Sequence, residues 1–379
     1  MPIYKMNGKK DGLQKYNVRI NYTDNYGKAK QMTRTTYGMD AAKDLERQLS
    51  NNIKTKELNP AANMTVSQLL EEYTSVKKYE AREVTIAKNK QNFEYYILPT
   101  FSDIHIDKIT TQQIQKWKIS MEEKNLSLNT KKQAFGDFRA MLNYAIKMEY
   151  ISKNPLIKIG NFKDCMSIKE EMTIYTAEQF CKYINVVKSI AENFQAKNNS
   201  LSEWDYYVFF NIAFYTGLRK GEIHALKWND INGSYLSVKR SITQRLKGGD
   251  RETPPKNKSS VRTLHIPLPL LNVLSEHKKR QEQIEYFKED YRICGGTKSL
   301  RDTTIQRRNI DYATKAGLDV IRVHDFRHSH VSVLANEGIN IQEIARRLGH
   351  ARIEMTWNTY SHLYPREEER AVDILNRIA

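Results

Sequence analysis

An arginine suited to phosphate binding follows the most apolar stretch of the chain. Residues 216–219 read Thr-Gly-Leu-Arg, and Glu222 follows Arg219 at a spacing of three. A guanidinium at the end of a buried helix is held rigidly and can offer its planar fork to two phosphate oxygens at once. The pattern is equally typical of a surface arginine with Glu222 as an ordinary salt-bridge partner. By itself, the stretch leaves both interpretations open.

A second stretch combines histidines with an arginine at helical spacing. It runs His324, Asp, Phe, Arg327, His328, and five of the nine histidines of the chain lie between 324 and 362. His324 and His328 have the i,i+4 spacing of two zinc ligands, but the Glu of the H-E-x-x-H motif is absent and Arg327 repels a metal cation. Since His324 and Arg327 are one helical turn apart, the stretch favours binding of a single anionic group.

The third stretch holds Tyr360, which stands ten residues after the His350 of a Leu-Gly-His sequence. The chain contains 22 tyrosines, so a given tyrosine is far more often structural than reactive. Ionising a free phenol at pH 7 costs about 4 kcal/mol. A nucleophilic tyrosine therefore needs neighbouring cations and a base, and the second stretch offers both.

In order and spacing, these residues resemble the tyrosine recombinase family, which includes phage- and conjugative-transposon-type integrases. The positions that carry the resemblance are Arg219, His324, Arg327, His350 and Tyr360. Residues 175–179, Tyr-Thr-Ala-Glu-Gln, are similar to the start of that family's catalytic domain. Residues 254–263 resemble its lysine-bearing β-hairpin, with Lys256 at the catalytic position and Lys258 as the alternative register.

The resemblance implies a mechanism in which Tyr360 attacks a scissile phosphate of DNA. The products are a 3′-phosphotyrosyl link and a free 5′-hydroxyl. Arg219 and Arg327 would neutralise the non-bridging oxygens as charge develops in the transition state. Lys256 would protonate the departing 5′-oxygen as the general acid.

The remaining implied roles concern protons and orientation. His324 would assist removal of the phenolic proton, His350 would donate to a phosphate oxygen, and Glu222 would orient Arg219. No metal and no other cofactor is expected, because the covalent link conserves the energy of the phosphodiester bond for rejoining. The implied activity is site-specific integration or excision of a mobile genetic element.

The charge of the chain agrees with a DNA partner along its whole length. The 379 residues carry a formal charge of +17, divided as +6 in residues 1–63, +4 in 64–160 and +7 in 161–379. An extended polyanion that contacts every segment explains this distribution, because each neutralised phosphate releases counterions. The alternative is a basic surface that serves solubility.

Composition also bears on the compartment. The three cysteines are widely spaced and form no C-x-x-C pair, which disfavours a disulfide framework and favours a reducing cytosol. The N-terminus lacks the apolar stretch of a signal peptide. The most apolar stretch, 206–215, is about half the ~20 residues that a membrane span needs. We therefore expect a bacterial cytoplasmic, nucleoid-associated protein that does not contact a membrane.

The elements that must position these residues predict an α+β, mostly helical protein of three domains. In residues 1–60, period-two alternation at 16–22 and a second basic strand predict a small sheet, followed by a helix from Asp40 to about Lys56. This domain is predicted to bind arm-type DNA sites, with Lys28, Lys30 and Arg34 as candidate contacts, although a solvated strand face has the same pattern.

Helical patterns dominate the rest of the chain. Residues 64–160 predict a four-helix core-binding domain whose second helix stops before Pro99. Residues 160–171 are a predicted linker, and 171–379 a catalytic domain with a C-terminal helix at 366–379. Strand exchange between two duplexes requires four protomers, so we expect a homotetramer on DNA. The C-terminal helix is predicted to dock on a neighbouring protomer or on its own domain, and excisionase or DNA-bending proteins could assist.

Two other functions share parts of this pattern. Residues 341–350 strongly resemble the first part of a helix-turn-helix, which is typical of a DNA-binding regulator without chemistry. A regulator has no reason to keep Arg219, Lys256 and Arg327 together. A type IB topoisomerase uses the same chemistry to relax supercoils, but the bipartite basic N-terminal half and the short hairpin favour a recombinase.

Overall fold

The computed structural model describes residues 3–23, 29–54, 64–163, 172–244, 246, 249–253, 260–363, 372 and 375–377, with backbone alone at 23, 30, 52–54 and 362. The chain forms two compact units, Met1–Ile168 and Lys169–Ala379. Their boundary falls inside the predicted linker at 160–171. In the part of the chain that the structure describes, no helix is long and apolar enough to cross a membrane.

The first unit begins with a three-stranded antiparallel sheet covered on one face by a helix. Its elements are β1 (Ile3–Lys10), β2 (Leu13–Thr23), β3 (Ala29–Tyr37) and α1 (Met39–Lys54), with the strands in the order β1-β2-β3. Val18, Ala42 and Leu49 form the buried contact between sheet and helix. The two predicted strands and the helix are confirmed, with Asp40 in the first turn of α1. The sequence reasoning missed β1.

The rest of the first unit is helical and has a separate hydrophobic core. Its elements are α2 (Val66–Glu80), α3 (Glu83–Asn92), a π-helical segment (Phe93–Ile97), α4 (Leu98–Phe101), α5 (Thr111–Glu122), α6 (Leu128–Lys147) and α7 (Leu156–Ile159). Trp117 is buried at the centre, between Phe101, Phe135 and Phe138. The sheet and the helices bury separate hydrophobic clusters. This separation supports our proposal that residues 1–60 and 64–160 are two domains.

The predicted end of the second helix before Pro99 is wrong. Helical geometry continues from Glu83 to Phe101, and the π-helical segment lies directly before α4. Pro99 falls in the first turn of α4, where a missing N–H leaves no helical bond unmade. The change in hydrogen-bond register in the π-helical segment therefore allows the helix to continue through Pro99, where the sequence pattern predicts its end.

The second unit surrounds a buried helix with helices and two small sheets. Its helices are α8 (Ala177–Asn198), α9 (Ser202–Thr216), α10 (Lys220–Ala225), α11 (Leu268–Glu282), α12 (Asp302–Lys315), α13 (Asp325–Asn336), α14 (Ile341–Leu348) and α15 (Ile353–Tyr360). Its strands are β4 (Ile231–Asn232), β5 (Tyr235–Val238), β6 (Ser241–Thr243), β7 (Arg251–Thr253) and β8 (Arg262–His265). They form the sheets β4-β5-β8 and β6-β7. The predicted strands at 235–240 and 261–266 correspond to β5 and β8.

Helix α9 lies at the centre of this unit, and its C-terminal end leads directly into the first residues of the candidate site. Phe209 and Phe210 are fully buried, and α8, α11 and α13 all pack against α9. Thr216 ends the helix with its hydroxyl donating to the carbonyl of Ile212 at 2.5 Å. A largely apolar helix of this kind is buried on all sides, and the close packing around it leaves little room for movement. The residues that follow it are therefore held rigidly.

Candidate active site

Gly217 turns the chain out of α9 and toward the site. Its φ of +63° lies in the left-handed region, and a Cβ at this position would lie 2.7 Å from Cδ2 of His330. Only glycine satisfies both conditions without strain. The turn directs the carbonyl of Gly217 to Arg327, and two residues later Arg219 caps α10.

Glu222 connects two arginines from distant parts of the chain. Its carboxylate accepts from the backbone N–H and Nη1 of Arg219 at 3.0 Å each, and from Nη2 of Arg262 at 3.0 Å. Burial by itself raises the pKa of this carboxyl, but Arg262 and Arg219 outweigh burial and hold the pKa below its ordinary value. Glu222 is therefore ionised at neutral pH and fixes both guanidiniums. The side chain of Arg219 remains 38% exposed, so it is available to a ligand.

Arg327 is the most buried cation of the site. It is 3% exposed. Its Nη1 donates to the carbonyl of Gly217 at 2.7 Å, and its Nη2 donates to the carbonyl of Leu348 at 2.9 Å and to Nε2 of His350 at 2.8 Å. Burial and the charge of Arg219 lower the pKa of Arg327 to about 9, which leaves it protonated at neutral pH. One side chain thus joins the end of α9 to the end of α14.

His350 is held between Arg327 and Thr356. Its Nε2 lies 2.8 Å from Arg327 Nη2 and its Nδ1 lies 2.8 Å from Thr356 Oγ1. Because a guanidinium can only donate, Nε2 must accept, and Nδ1 carries the proton. Burial together with Arg327 and Arg219 lowers the pKa of His350 to about 4, so the ring is neutral. The predicted donation to a phosphate oxygen stays a prediction, and it requires Nε2 to leave Arg327.

The hydroxyl of Tyr360 meets a histidine of α13. Tyr360 is 2% exposed, and its Oη lies 2.7 Å from Nδ1 of His328. Burial raises the pKa of Tyr360 to about 12, against the opposing effects of Arg327 and Arg219. Both arginines therefore act electrostatically on this hydroxyl. The structure thus brings Tyr360 together with the two arginines that the sequence singles out.

The structure places His324 beside His328, and it does not describe the predicted catalytic lysine. His324 occupies the N-cap position of α13 without a side-chain capping bond, and its ring packs edge-on against the ring of His328 at a centroid distance of 5.1 Å. Partial desolvation and Arg327 lower the pKa of His324. His328, rather than His324, contacts the phenol. Lys256 and Lys258 lie outside the described residues.

The comparisons with known proteins agree with this geometry. Residues 183–367 match the phage integrase family, and residues 65–121 match the SAM-like N-terminal domain of phage integrases. The ICEBs1 integrase of Bacillus subtilis is 28% identical over 345 residues, covering 88% of this chain and 89% of that protein. A XerC-like tyrosine recombinase of Caldanaerobacter subterraneus is 28% identical over 327 residues, covering 79% and 80%. The chain belongs to the phage integrase family of tyrosine recombinases.

Solved integrase structures share the fold of this recombinase. The Tn1549 transposon integrase, in complex with a circular intermediate DNA, has a TM-score of 0.66 at 19% identity, covering 83% of this chain and 100% of that chain. A lambda integrase tetramer bound to a Holliday junction has a TM-score of 0.56 at 18% identity, covering 93% and 96%. Family membership makes this protein a DNA-binding, site-specific recombinase. It also decides against the regulator without chemistry.

The helix-turn-helix pattern has a structural role in this recombinase. Helices α14 and α15 are joined through Gly349, whose φ is +64°, and α15 carries the tyrosine where a regulator carries its recognition helix. The turn between them also provides the carbonyl of Leu348 and the ring of His350 that contact Arg327. The local pattern is therefore used to build the recombinase site.

Sequence reasoning missed three residues of the site. The sequence pattern does not single out Arg262, although it lies in the stretch that resembles the lysine-bearing hairpin. The spacing of His328 indicates only a candidate zinc ligand, although it directly follows Arg327. Thr356, fully buried and bonded to His350, gave no sequence signal because a lone threonine on a helix is common.

Proposed function

We propose that this recombinase cleaves and rejoins double-stranded DNA through a 3′-phosphotyrosyl link at Tyr360, and thereby integrates and excises a mobile genetic element. The observation that carries the proposal is the position of the buried Tyr360 hydroxyl. It lies in the field of Arg327 and Arg219, which both favour its ionised form. A phenol beside two fixed guanidiniums is suited to attack on an anionic phosphate.

Arg219 and Arg327 hold the two non-bridging oxygens of the scissile phosphate in this proposal. Glu222 acts as a positioning residue, because it fixes the guanidiniums of Arg219 and Arg262. Arg327 uses backbone carbonyls as its anchors, so its charge is not cancelled by a carboxylate. The site therefore keeps net positive charge where the transition state gains negative charge.

Lys256 is proposed as the general acid that protonates the 5′-oxygen, with Lys258 as the alternative register. The segment that carries both lysines joins β7 to β8. Arg262 begins β8 and is bound to Glu222. Lys256 is six residues from Arg262 in the sequence, and six residues of extended chain span at most roughly 20 Å. That range allows the segment to bring an ammonium to the leaving group.

The N-terminal sheet is proposed to bind arm-type DNA sites. The face that α1 leaves open carries Asn17, Arg19 and Asn21 of β2, and on β3 Gln31 bonds to Asn21 and Thr35 to Asn17. Arg34 is exposed but pairs in register with Val18, on the face that α1 covers. Lys28 and the side chain of Lys30 lie outside the described residues. A polar strand face of this width is suited to a DNA groove.

We expect removal of residues 1–60 to separate two kinds of DNA binding. Affinity for sites outlying the crossover region should fall at least tenfold, because the polar sheet face is lost, while core-site binding and cleavage persist. Titrations of both kinds of site on the native element ends measure this. Unchanged affinity for every site would contradict the arm-binding proposal.

Assembly and partners follow from the reaction that we propose. Exchange of strands between two duplexes needs four active sites, so we propose a homotetramer on DNA, formed in the bacterial cytoplasm at the nucleoid. Excisionase and DNA-bending proteins are proposed accessory factors. The basic charge in every segment of the chain supports DNA as the common partner.

A covalent adduct tests the proposed function. The protein is incubated with nicked suicide duplexes that carry the element ends, in EDTA without added metal. We expect an adduct that survives denaturing electrophoresis and that peptide mapping places on Tyr360. It should form without metal, because the proposed neutralising charges are all arginine and lysine side chains. DNA binding without any adduct on every tightly bound site would contradict the proposal.

A further inference from the structure

We propose that His328 is a further catalytic residue, the proton acceptor for the hydroxyl of Tyr360, and that the nearby charge of Asp325 stabilises its protonated form. This inference rests on the proposed function of Tyr360 as the nucleophile. It assigns the base to the histidine that follows Arg327 in the sequence, in place of His324, which the resemblance implies.

The contact between Tyr360 and His328 has one favoured proton arrangement. Nδ1 of His328 lies 2.7 Å from Tyr360 Oη, and Nε2 lies 3.9 Å from Oδ1 of Asp325. If Nδ1 carried the proton, the lone pair of Nε2 would face the carboxylate of Asp325. With the proton on Nε2, the N–H interacts favourably with the charge of that carboxylate across 3.9 Å, and Nδ1 accepts from the phenol. The second arrangement places a free base on the reacting hydroxyl.

Asp325 is fixed where it can stabilise a charged His328. The residue is 5% exposed, and its carboxylate accepts from the backbone N–H of Arg322 at 2.9 Å and from the guanidinium of Arg322 at 2.9–3.3 Å. The carboxylate lies 3.9 Å from Nε2 of His328, beyond hydrogen-bond distance. Its charge therefore acts on the ring electrostatically and favours the protonated form.

The charge states before reaction agree with this role. Burial, followed by His324, lowers the pKa of His328 to about 4, so the ring is neutral at physiological pH and its lone pair is available. Because the pKa of Tyr360 is raised to about 12, complete proton transfer before attack is strongly unfavourable. The proton must therefore move as the bond to phosphorus forms. Arrival of the phosphate anion favours the imidazolium and assists that transfer.

Strand cleavage in this proposal is a concerted displacement at phosphorus. The Oη–H bond of Tyr360 breaks and its proton passes to Nδ1 of His328, while the Oη–P bond forms and the P–O5′ bond breaks. The leaving 5′-oxygen takes a proton from the general acid, proposed as Lys256. On rejoining, the 5′-hydroxyl attacks phosphorus and gives its proton back to Lys256, while the Oη–P bond breaks and His328 returns its proton to the departing phenolate. No oxidant, metal or further reactant takes part.

His324 is less well placed for this step. Its ring packs against the ring of His328 at a centroid distance of 5.1 Å, whereas the hydroxyl of Tyr360 bonds to His328. The ring of His328 lies 5.4 Å from the ring of Tyr360 and bonds directly to the hydroxyl. His324 at the N-terminal end of α13 is open to solvent and suits a contact with the phosphate.

Two substitutions separate proton transfer from positioning. In His328→Asn the amide stands where Nδ1 stood, so it keeps a hydrogen bond to the phenol but cannot take its proton. We expect single-turnover cleavage to fall at least 100-fold, while core-site affinity and melting temperature stay close to those of the unmodified protein. His265→Asn makes the same change on an exposed histidine that packs against Tyr235 and should cleave at the normal rate.

A sulfur leaving group then separates the base from the acid. In a 5′-bridging phosphorothiolate duplex the leaving thiolate needs no proton at neutral pH. We expect this substrate to restore cleavage by Lys256→Met and to leave His328→Asn slow. Rescue of His328→Asn to the same extent would place His328 at the leaving group and overturn the proposal. Normal cleavage by His328→Asn on the oxygen substrate would overturn it as well.

Two further readouts keep the test decisive. If His328→Asn loses its fold by circular dichroism, His328→Ala is assayed with added imidazole, and rescue supports the proposal whereas its absence in a folded, DNA-binding variant contradicts it. Failure of the unmodified protein to form any adduct would instead contradict the proposed function. The two failures are therefore distinguishable.

Discussion

Replacing Tyr360 by phenylalanine is expected to abolish the covalent adduct with DNA, with a loss on the order of 10⁴-fold or more. The substitution removes only the hydroxyl. The ring is 2% exposed and packs beside α13 and α14, so it keeps its place. The lost contact with His328 costs about 1 kcal/mol. DNA affinity should therefore remain while the chemistry disappears, which adduct gels and titrations on the same duplex measure.

Tyr183→Phe is the matched control for this result. Tyr183 is also fully buried in the second unit, and its hydroxyl donates to Asn309 at 2.9 Å. Both variants lose one buried phenolic hydrogen bond, so their melting temperatures should fall by similar amounts. Only Tyr360→Phe should lose the adduct. An adduct that persists in Tyr360→Phe would mean that the nucleophile is another residue of the same site.

The sequence singles out Tyr360, our proposed nucleophile, and the two arginines that act on it, but it does not reveal the partner of the phenol. The spacing of His324 and Arg327 follows from one helical turn and needs no tertiary information. Which histidine meets Tyr360 depends on how α15 packs against α13, at a sequence distance of 32 residues from His328. A shift of one turn along α13 exchanges one histidine for the other. Only the packed structure settles that choice.

The fold was predictable where local pattern and packing agree. Alternation at 16–22 predicted a strand that the structure confirms as part of β2. The same local pattern predicts that a helix ends before Pro99. The π-helical segment before Pro99 allows the helix to continue instead. Arg262 belongs to the site only because tertiary packing brings it to Glu222 of α10, 40 residues away in the sequence. Contacts of that length carry no periodic signal.

Arg327→Lys is expected to be the second most damaging change. Arg327 donates in three directions, to the carbonyls of Gly217 and Leu348 and to Nε2 of His350. A lysine carries the same charge on one nitrogen and cannot span these acceptors. At least one buried carbonyl then loses its donor, at a cost of about 1–3 kcal/mol in the free energy of unfolding. We expect cleavage to fall by about 10²–10³-fold.

The control is Arg346→Lys, at an exposed arginine whose guanidinium binds Glu343 on the surface of α14. This change should alter the free energy of unfolding by less than about 0.5 kcal/mol. The Arg346 variant should cleave saturating DNA at the same rate as the unmodified protein. The Arg327 variant is measured at saturating DNA and well below its melting temperature. If Arg327 served only as a structural link between α9 and α14, cleavage would recover under those conditions. Because we infer that its charge also meets the phosphate in the transition state, the deficit should persist when every molecule is folded and bound.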